Sequence, residues 1–165
     1  MKIRLLCAIA CVLAVPYATL AADPASPPTP VVKSLSEQKL DKFPGTPDCL
    51  TGSVLNGDPA KGPSLLLTKF AGGCTVPWHW HSSNEHVMMI SGTGRLEMKD
   101  SKPTIVHGGA YAMLPAHHAH KFTCTASCVL YLYSDGVFDT HYIDANGAEI
   151  SAEQALAKKS PDKKK

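Results

Sequence analysis

The sequence predicts a single all-β domain of the sandwich or barrel class. Between Leu50 and Ile143, short runs rich in Val, Ile, Leu, Thr and aromatic residues recur, each bounded by Gly, Pro, Asn or Asp turns. Several of these runs alternate apolar and polar side chains, as strands with one buried face do. The chain of 165 residues is long enough for one domain with a real core.

The first 22 residues are expected to lie outside that domain. Lys2 and Arg4 precede an apolar run from Leu5 to Val15, and small residues follow at Ala18, Ala21 and Ala22. This is the layout of a secretory signal peptide cleaved after Ala21 or Ala22, and the run is short for a membrane span. A secreted or periplasmic location follows as an expectation, with no membrane attachment after cleavage. Residues 23–48 read as a Pro-rich leader and an N-terminal arm, with four prolines between Asp23 and Pro30. The arm from Val31 to Phe43 is expected to hold a short strand that pairs with a sheet edge or a neighbouring subunit, the second case giving a homodimer.

The strands follow in order. Leu50–Leu55 is ended by Asn56-Gly57-Asp58-Pro59, and Ser64–Phe70 by Ala71-Gly72-Gly73. Thr75–His81 has Pro77 near its start, and Glu85–Ile90 returns the chain. Arg95–Met98, Thr104–His107 and Ala110–Leu114 are separated by further turns. His120–Cys124 and Cys128–Tyr133 read as a hairpin, and Phe138–Ile143 as the last strand. Residues 49–144 form the predicted domain. Residues 145–165 are read as a helix over Ser151–Lys159, with Ser151 as N-cap, and a Lys-rich solvated tail. A net charge of +2 with 18% charged residues gives no footprint for a nucleic-acid partner.

Export permits disulfides. The mature chain keeps Cys49, Cys74, Cys124 and Cys128, which allow three pairings. Cys124 and Cys128 bracket Thr-Ala-Ser, where a cross-hairpin bridge fits, leaving Cys49 with Cys74.

The chemistry centres on Gly73 to Gly92. His79 and His81 are two apart, so on a strand both point to one side. Ser82, Ser83 and Asn84 form turns, and a hairpin brings Glu85 back beside the imidazoles. Two neutral nitrogens and a carboxylate on one face suit a divalent transition metal. Alternation sends Val87 and Met89 inward with Glu85, and Phe122 and Cys124 inward with His120. An isolated histidine pair on a strand more often packs or faces solvent than binds metal, so the wider pattern matters.

That pattern reads Gly-x5-His-x-His-x3-Glu-x6-Gly from Gly73 to Gly92, and resembles the first motif of the cupin superfamily. Seventeen residues after Gly92, Gly109 opens a second run through Pro115, His117, His120 and Cys124. It resembles the second cupin motif, with His117 in place of its inner glycine and Cys124 in place of its terminal asparagine. The stretch from Asn56-Gly57-Asp58-Pro59 through the histidines is similar to small single-domain bacterial cupins. The resemblance implies a cupin jelly-roll barrel over roughly Leu50 to Ile143, followed by the short C-terminal helix.

It also implies one divalent metal held by His79, His81, Glu85 and His120. Three nitrogens and one oxygen leave open positions, which suits manganese, iron, nickel or copper, while zinc also fits. Such a centre binds a small organic substrate or ligand. A dioxygenase-like oxidoreductase is the first reading, with decarboxylation, isomerisation or hydrolysis as alternatives. A non-catalytic small-molecule-binding cupin is the second reading, and a metal-stabilised structural domain the third. Glu85 and His118 are the candidate catalytic groups. Tyr111, Tyr131 and Tyr133 are candidates to line the cavity, and His141 to reach it, although core packing or a surface position is the plainer reading of each.

Overall fold

The computed structural model describes residues 29–157. The expected signal segment, most of the Pro-rich leader and the terminal lysines lie outside the described residues. The chain divides into two compact units, Met1–Val32 and Lys33–Lys165. Of the first, only residues 29–32 are described, and they carry no regular structure.

In the second unit the chain forms β1 (Leu50–Gly57), β2 (Ser64–Phe70), β3 (Thr75–Trp80), β4 (Glu85–Ser91), β5 (Thr93–Met98) and β6 (Thr104–His107). It continues through β7 (Tyr111–Leu114), β8 (His120–Cys124), β9 (Cys128–Ser134), β10 (His141–Ile143), β11 (Glu149–Ile150) and α1 (Ala152–Leu156). Two antiparallel sheets result, in the orders β1-β2-β9-β4-β7 and β11-β10-β3-β8-β5-β6. The architecture is all-β and consistent with a jelly roll. Its two sheets stay open to each other, because no strand ladder among the described residues joins one sheet to the other.

The sheet assignment corrects two expected hairpins. β3 and β4 lie in different sheets, as do β8 and β9. Each of these four strands already has a ladder on both sides, so the short loops between them turn corners instead of closing hairpins. Disulfides join Cys49 to Cys74 and Cys124 to Cys128, the pairing read from the sequence. The second closes a corner between sheets, not a cross-hairpin pair.

Alternation sets the core. β8 buries His120, Phe122 and Cys124, and β9 buries Cys128, Leu130, Leu132 and Ser134. Tyr131 and Tyr133 therefore face outward, as does Tyr111, which is 62% exposed. The tyrosine of the interior is Tyr142, only 2% exposed. In β3 the register against β8 shifts between Val76 and His79. Pro77 in that gap has no N–H for a ladder bond, and the shift lets both Val76 and His79 line the interior. Gly92 has φ +92°, and a Cβ there would sit 2.1 Å from the Ser127 carbonyl oxygen, so this turn admits glycine alone.

The arm does not form the expected strand. It carries a 3-10 turn at Leu35–Glu37 and one bridge, Asp41 to Gly52. Its continuation, Phe43, Pro44 and Thr46, lines the internal cavity. Phe43 packs close over Gly52, where a Cβ would come within 2.6 Å of its ring. At the other end β11, a strand absent from the sequence reading, pairs with β10, which falls within the expected last strand. In α1, Ser151 Oγ accepts from the Gln154 N–H at 3.2 Å while Gln154 Oε1 accepts from the Ser151 N–H at 2.9 Å.

Candidate metal centre

β3 and β8 place His79 opposite His120 in one sheet, with the two ring centroids 4.2 Å apart. His81 follows directly after β3, its centroid 4.9 Å from that of His79. Glu85 opens β4 in the facing sheet, so it meets the histidines across the interior. Its Oε2 lies 3.3 Å from His81 Nε2 and 3.2 Å from His120 Nε2. All four side chains are buried.

The corner between β3 and β4 is built to hold this geometry. Asp139 accepts from Ser82 N–H at 2.8 Å and from Ser82 Oγ at 2.6 Å. Asp135 accepts from Asn84 N–H at 3.0 Å and from its Nδ2 at 2.6 Å. Asn84 Oδ1 in turn accepts from the Ala116 N–H at 2.9 Å, tying this corner to the loop before β8.

Each imidazole is oriented from behind. His79 Nδ1 bonds the Pro77 carbonyl at 2.6 Å, His120 Nδ1 bonds the His118 carbonyl at 2.9 Å, and His81 Nδ1 bonds the Asp139 carbonyl. A carbonyl only accepts, so every Nδ1 carries its hydrogen and every Nε2 is left as the ligating atom. His81 Nε2 and His120 Nε2 have no properly aligned hydrogen bond, although Glu85 stands within 3.3 Å of both. Facing acceptors at that distance require a proton or a cation between them. The ligating atoms of His79, His81 and His120 lie within 4.8 Å of one another. This donor set fits a metal ion, with Glu85 positioned to add an oxygen.

Electrostatics agree. Burial, followed by the neighbouring His120 and His81, holds the His79 imidazole well below its usual range, so it is neutral. Burial would push the Glu85 carboxyl up, but His81 and His120 hold it well below the ordinary range. Burial lowers His81 most, and the charge and hydrogen bond of Glu85 together with Asp139 more than reverse that.

The set sits in a cavity of about 270 Å³. Its other walls are mostly aliphatic and aromatic, including Leu66, Phe70, Val87, Leu96, Phe122 and Leu130. Phe138 packs against the His81 ring at 4.4 Å. Tyr142 donates its hydroxyl to the Gly45 carbonyl at 2.9 Å, and burial pushes its pKa up to about 12.

The remaining sequence candidates lie elsewhere. His118 does not line the cavity, and its contribution is the carbonyl that orients His120. Tyr111, Tyr131 and Tyr133 are on the outer face. His141 stacks flat on Trp80, with centroids 3.9 Å apart, and pairs with Asp139 and Glu149. His117, at the position of the motif's inner glycine, has φ +59°, which explains why glycine suits that position. Here Trp80 packs on its ring at 4.7 Å and its N–H bonds the His81 carbonyl at 2.8 Å. The sequence reading missed Asp139, Asp135 and Asn84. Their partners lie up to 58 residues away, and no local spacing signals them.

Comparisons with known proteins agree with the fold. The cupin domain family matches residues 66–133. Among solved structures, an acetylacetone dioxygenase from Acinetobacter johnsonii is 18% identical, with TM-score 0.60, covering 82% of this chain and 95% of that one. An RmlC-like cupin from Ralstonia eutropha is 17% identical, with TM-score 0.58 and coverages of 72% and 74%. An RmlC-like cupin from Shewanella frigidimarina is 14% identical, with TM-score 0.55 and coverages of 65% and 91%. Comparison with curated proteins finds no match. At these identities the structural likeness speaks for the fold alone. With both motifs, the family match and the two-sheet fold in agreement, residues 66–133 carry a cupin domain with a histidine set able to hold a metal ion.

Proposed function

We propose that the protein is an exported, metal-dependent enzyme, a dioxygenase-like oxidoreductase acting on a small organic molecule. The observation that carries this reading is the convergence of three Nε2 atoms and Glu85 on a largely apolar cavity. One divalent ion held by His79, His81, Glu85 and His120 would supply redox or Lewis-acid chemistry to a substrate in the cavity. The chain's residues hold that ion, exclude water and position the substrate. Apart from the ligand set, the only titratable side chain on the walls among the described residues is Tyr142, whose hydroxyl is already bonded. Hydrolysis or isomerisation calls for a positioned acid–base group, and only Glu85 is there to serve. Oxygenation asks less of the walls, which orders the alternatives. Two disulfides and the basic-then-apolar N-terminus support export to an oxidising compartment.

The same scarcity of acid–base groups supports a second reading, a metal-dependent binding protein without turnover. Isotope labelling separates the two. Protein loaded with Fe(II) is presented with small chelating substrates under ¹⁸O₂. The enzyme reading expects dioxygen uptake with two labelled atoms in product, and loss of at least about a hundredfold of the rate in His120→Ala. Metal-dependent binding of the same compounds without oxygen uptake would establish the binding protein instead.

A further inference from the structure

We infer that the site takes a small molecule whose polar atoms are confined to one end, with an uncharged apolar remainder. This rests on the proposed metal centre and names the substrate class it serves. The argument starts from the strand register. Glu85 is level with Ser134 of β9, which is level with Ser64 of β2. Two residues along, Val87, Leu132 and Leu66 face inward at one level. Two further along, Met89, Leu130 and Thr68 share the next. Each step is about 6.7 Å. In the facing sheet His120 gives way to Phe122, paired with Leu96. The cavity wall therefore carries its ionisable groups at the ligand row and is mostly apolar beyond it, with Thr68 the one polar residue of the far row.

The hydroxyls on the walls do not offset this. Thr46 Oγ1 donates to the Phe43 carbonyl at 2.8 Å, Thr68 Oγ1 to the Leu130 carbonyl at 3.4 Å, and Tyr142 to Gly45. Thr140, which is exposed, is the one lining hydroxyl with no side-chain hydrogen bond among the described residues. Among the described residues no Lys or Arg lines the cavity, and its carboxylate belongs to the ligand set. A polar or charged tail would be buried without partners. Sugars, polyols and dicarboxylates are excluded on this ground. The volume of about 270 Å³ lies just below the range of about 300–1,000 Å³ usual for ligand pockets, so the molecule is small.

The test measures binding, not turnover. Full-length mature protein loaded with zinc, which has no redox chemistry, is titrated with straight-chain hydroxamates from acetohydroxamate to hexanohydroxamate. A hydroxamate is a two-oxygen chelating head whose tail can be varied. Affinity is expected to tighten by about fourfold per methylene until the cavity is full. The ammonium-tailed 6-aminohexanohydroxamate is expected to bind more than about a hundredfold more weakly than hexanohydroxamate. Leu130→Phe, which fills the far end, is expected to stop the gain at a shorter tail while leaving acetohydroxamate unchanged. The tail series on the parent protein stands without that variant. Affinity independent of tail length, or equal for the ammonium tail, overturns the inference while leaving the metal centre intact. An unchanged tail series after chelator treatment supports the apolar cavity and overturns the metal reading on which it rests.

Discussion

Glu85→Gln is expected to destabilise the metal-free protein by about 3 kcal/mol between roughly pH 4.5 and 6.5, and by less on either side of that window. Glu85 is buried against His81 and His120, and removing one charge of a buried pair leaves the other uncompensated. The pH limits follow from the directions of the two shifts. The Glu85 carboxyl is lowered in the folded state despite its burial, by His81 and His120. Its contribution is full above the unfolded value of about 4.5 and lost as pH falls through the lower folded value. The His81 imidazole is raised despite its burial, by Glu85. Its contribution is full below the unfolded value of about 6.5 and lost as pH rises through the higher folded value. The pair is thus worth most between the two unfolded values. Denaturant unfolding of parent and variant at a series of pH values, in chelator, reads the difference directly. A difference that keeps growing to high pH would contradict the pairing.

Loading with a divalent transition metal is expected to raise the thermal midpoint by about 12 °C at a thousandfold excess over Kd. Binding to the folded state alone contributes about 4 kcal/mol under that condition, and one kcal/mol corresponds to about 3 °C for a domain of this size. The cation replaces the proton between Glu85 and His81, so the effect must grow as pH rises and the His81 imidazole, raised by Glu85 and Asp139, gives that proton up. Its sign with pH is opposite to that of the His81 contribution in the metal-free protein. A metal-induced shift that is independent of pH, or that survives in a His79→Ala variant, would contradict imidazole ligation. Differential scanning fluorimetry in parallel pH series is sufficient.

Much of this was legible in the sequence for a physical reason. Strand ladders impose a period of two, so the residues inward with His120 and Glu85 follow from alternation, and the structure buries Phe122, Cys124, Val87 and Met89. The conversion of short loops into corners was not legible. Ser82-Ser83-Asn84 and Thr125-Ala126-Ser127 fit a hairpin or a corner equally well, and the choice is made by partners distant in sequence. The outward tyrosines show what parity leaves open. Alternation separates Tyr131 and Tyr133 from Leu130 and Leu132 but does not say which set is inside. The Cys124–Cys128 bridge would have supplied the sign, because buried Cys128 shares its face with Leu130 and Leu132. The groups that orient the imidazoles are backbone carbonyls of Pro77, His118 and Asp139, which carry no side-chain signature. The arm was read as a strand for pairing, yet Phe43, Pro44 and Thr46 wall the cavity, a long-range packing outcome that composition does not encode.

Elemental analysis tests the central claim most directly. The protein is expressed with its own N-terminal segment, purified without chelator or affinity metal, and compared with a His79→Ala, His120→Ala double variant shown by circular dichroism to be folded. The expected result is one near-stoichiometric transition metal in the parent and none in the variant. No metal in the parent, or the same content in both, would contradict the assignment of these histidines as ligands.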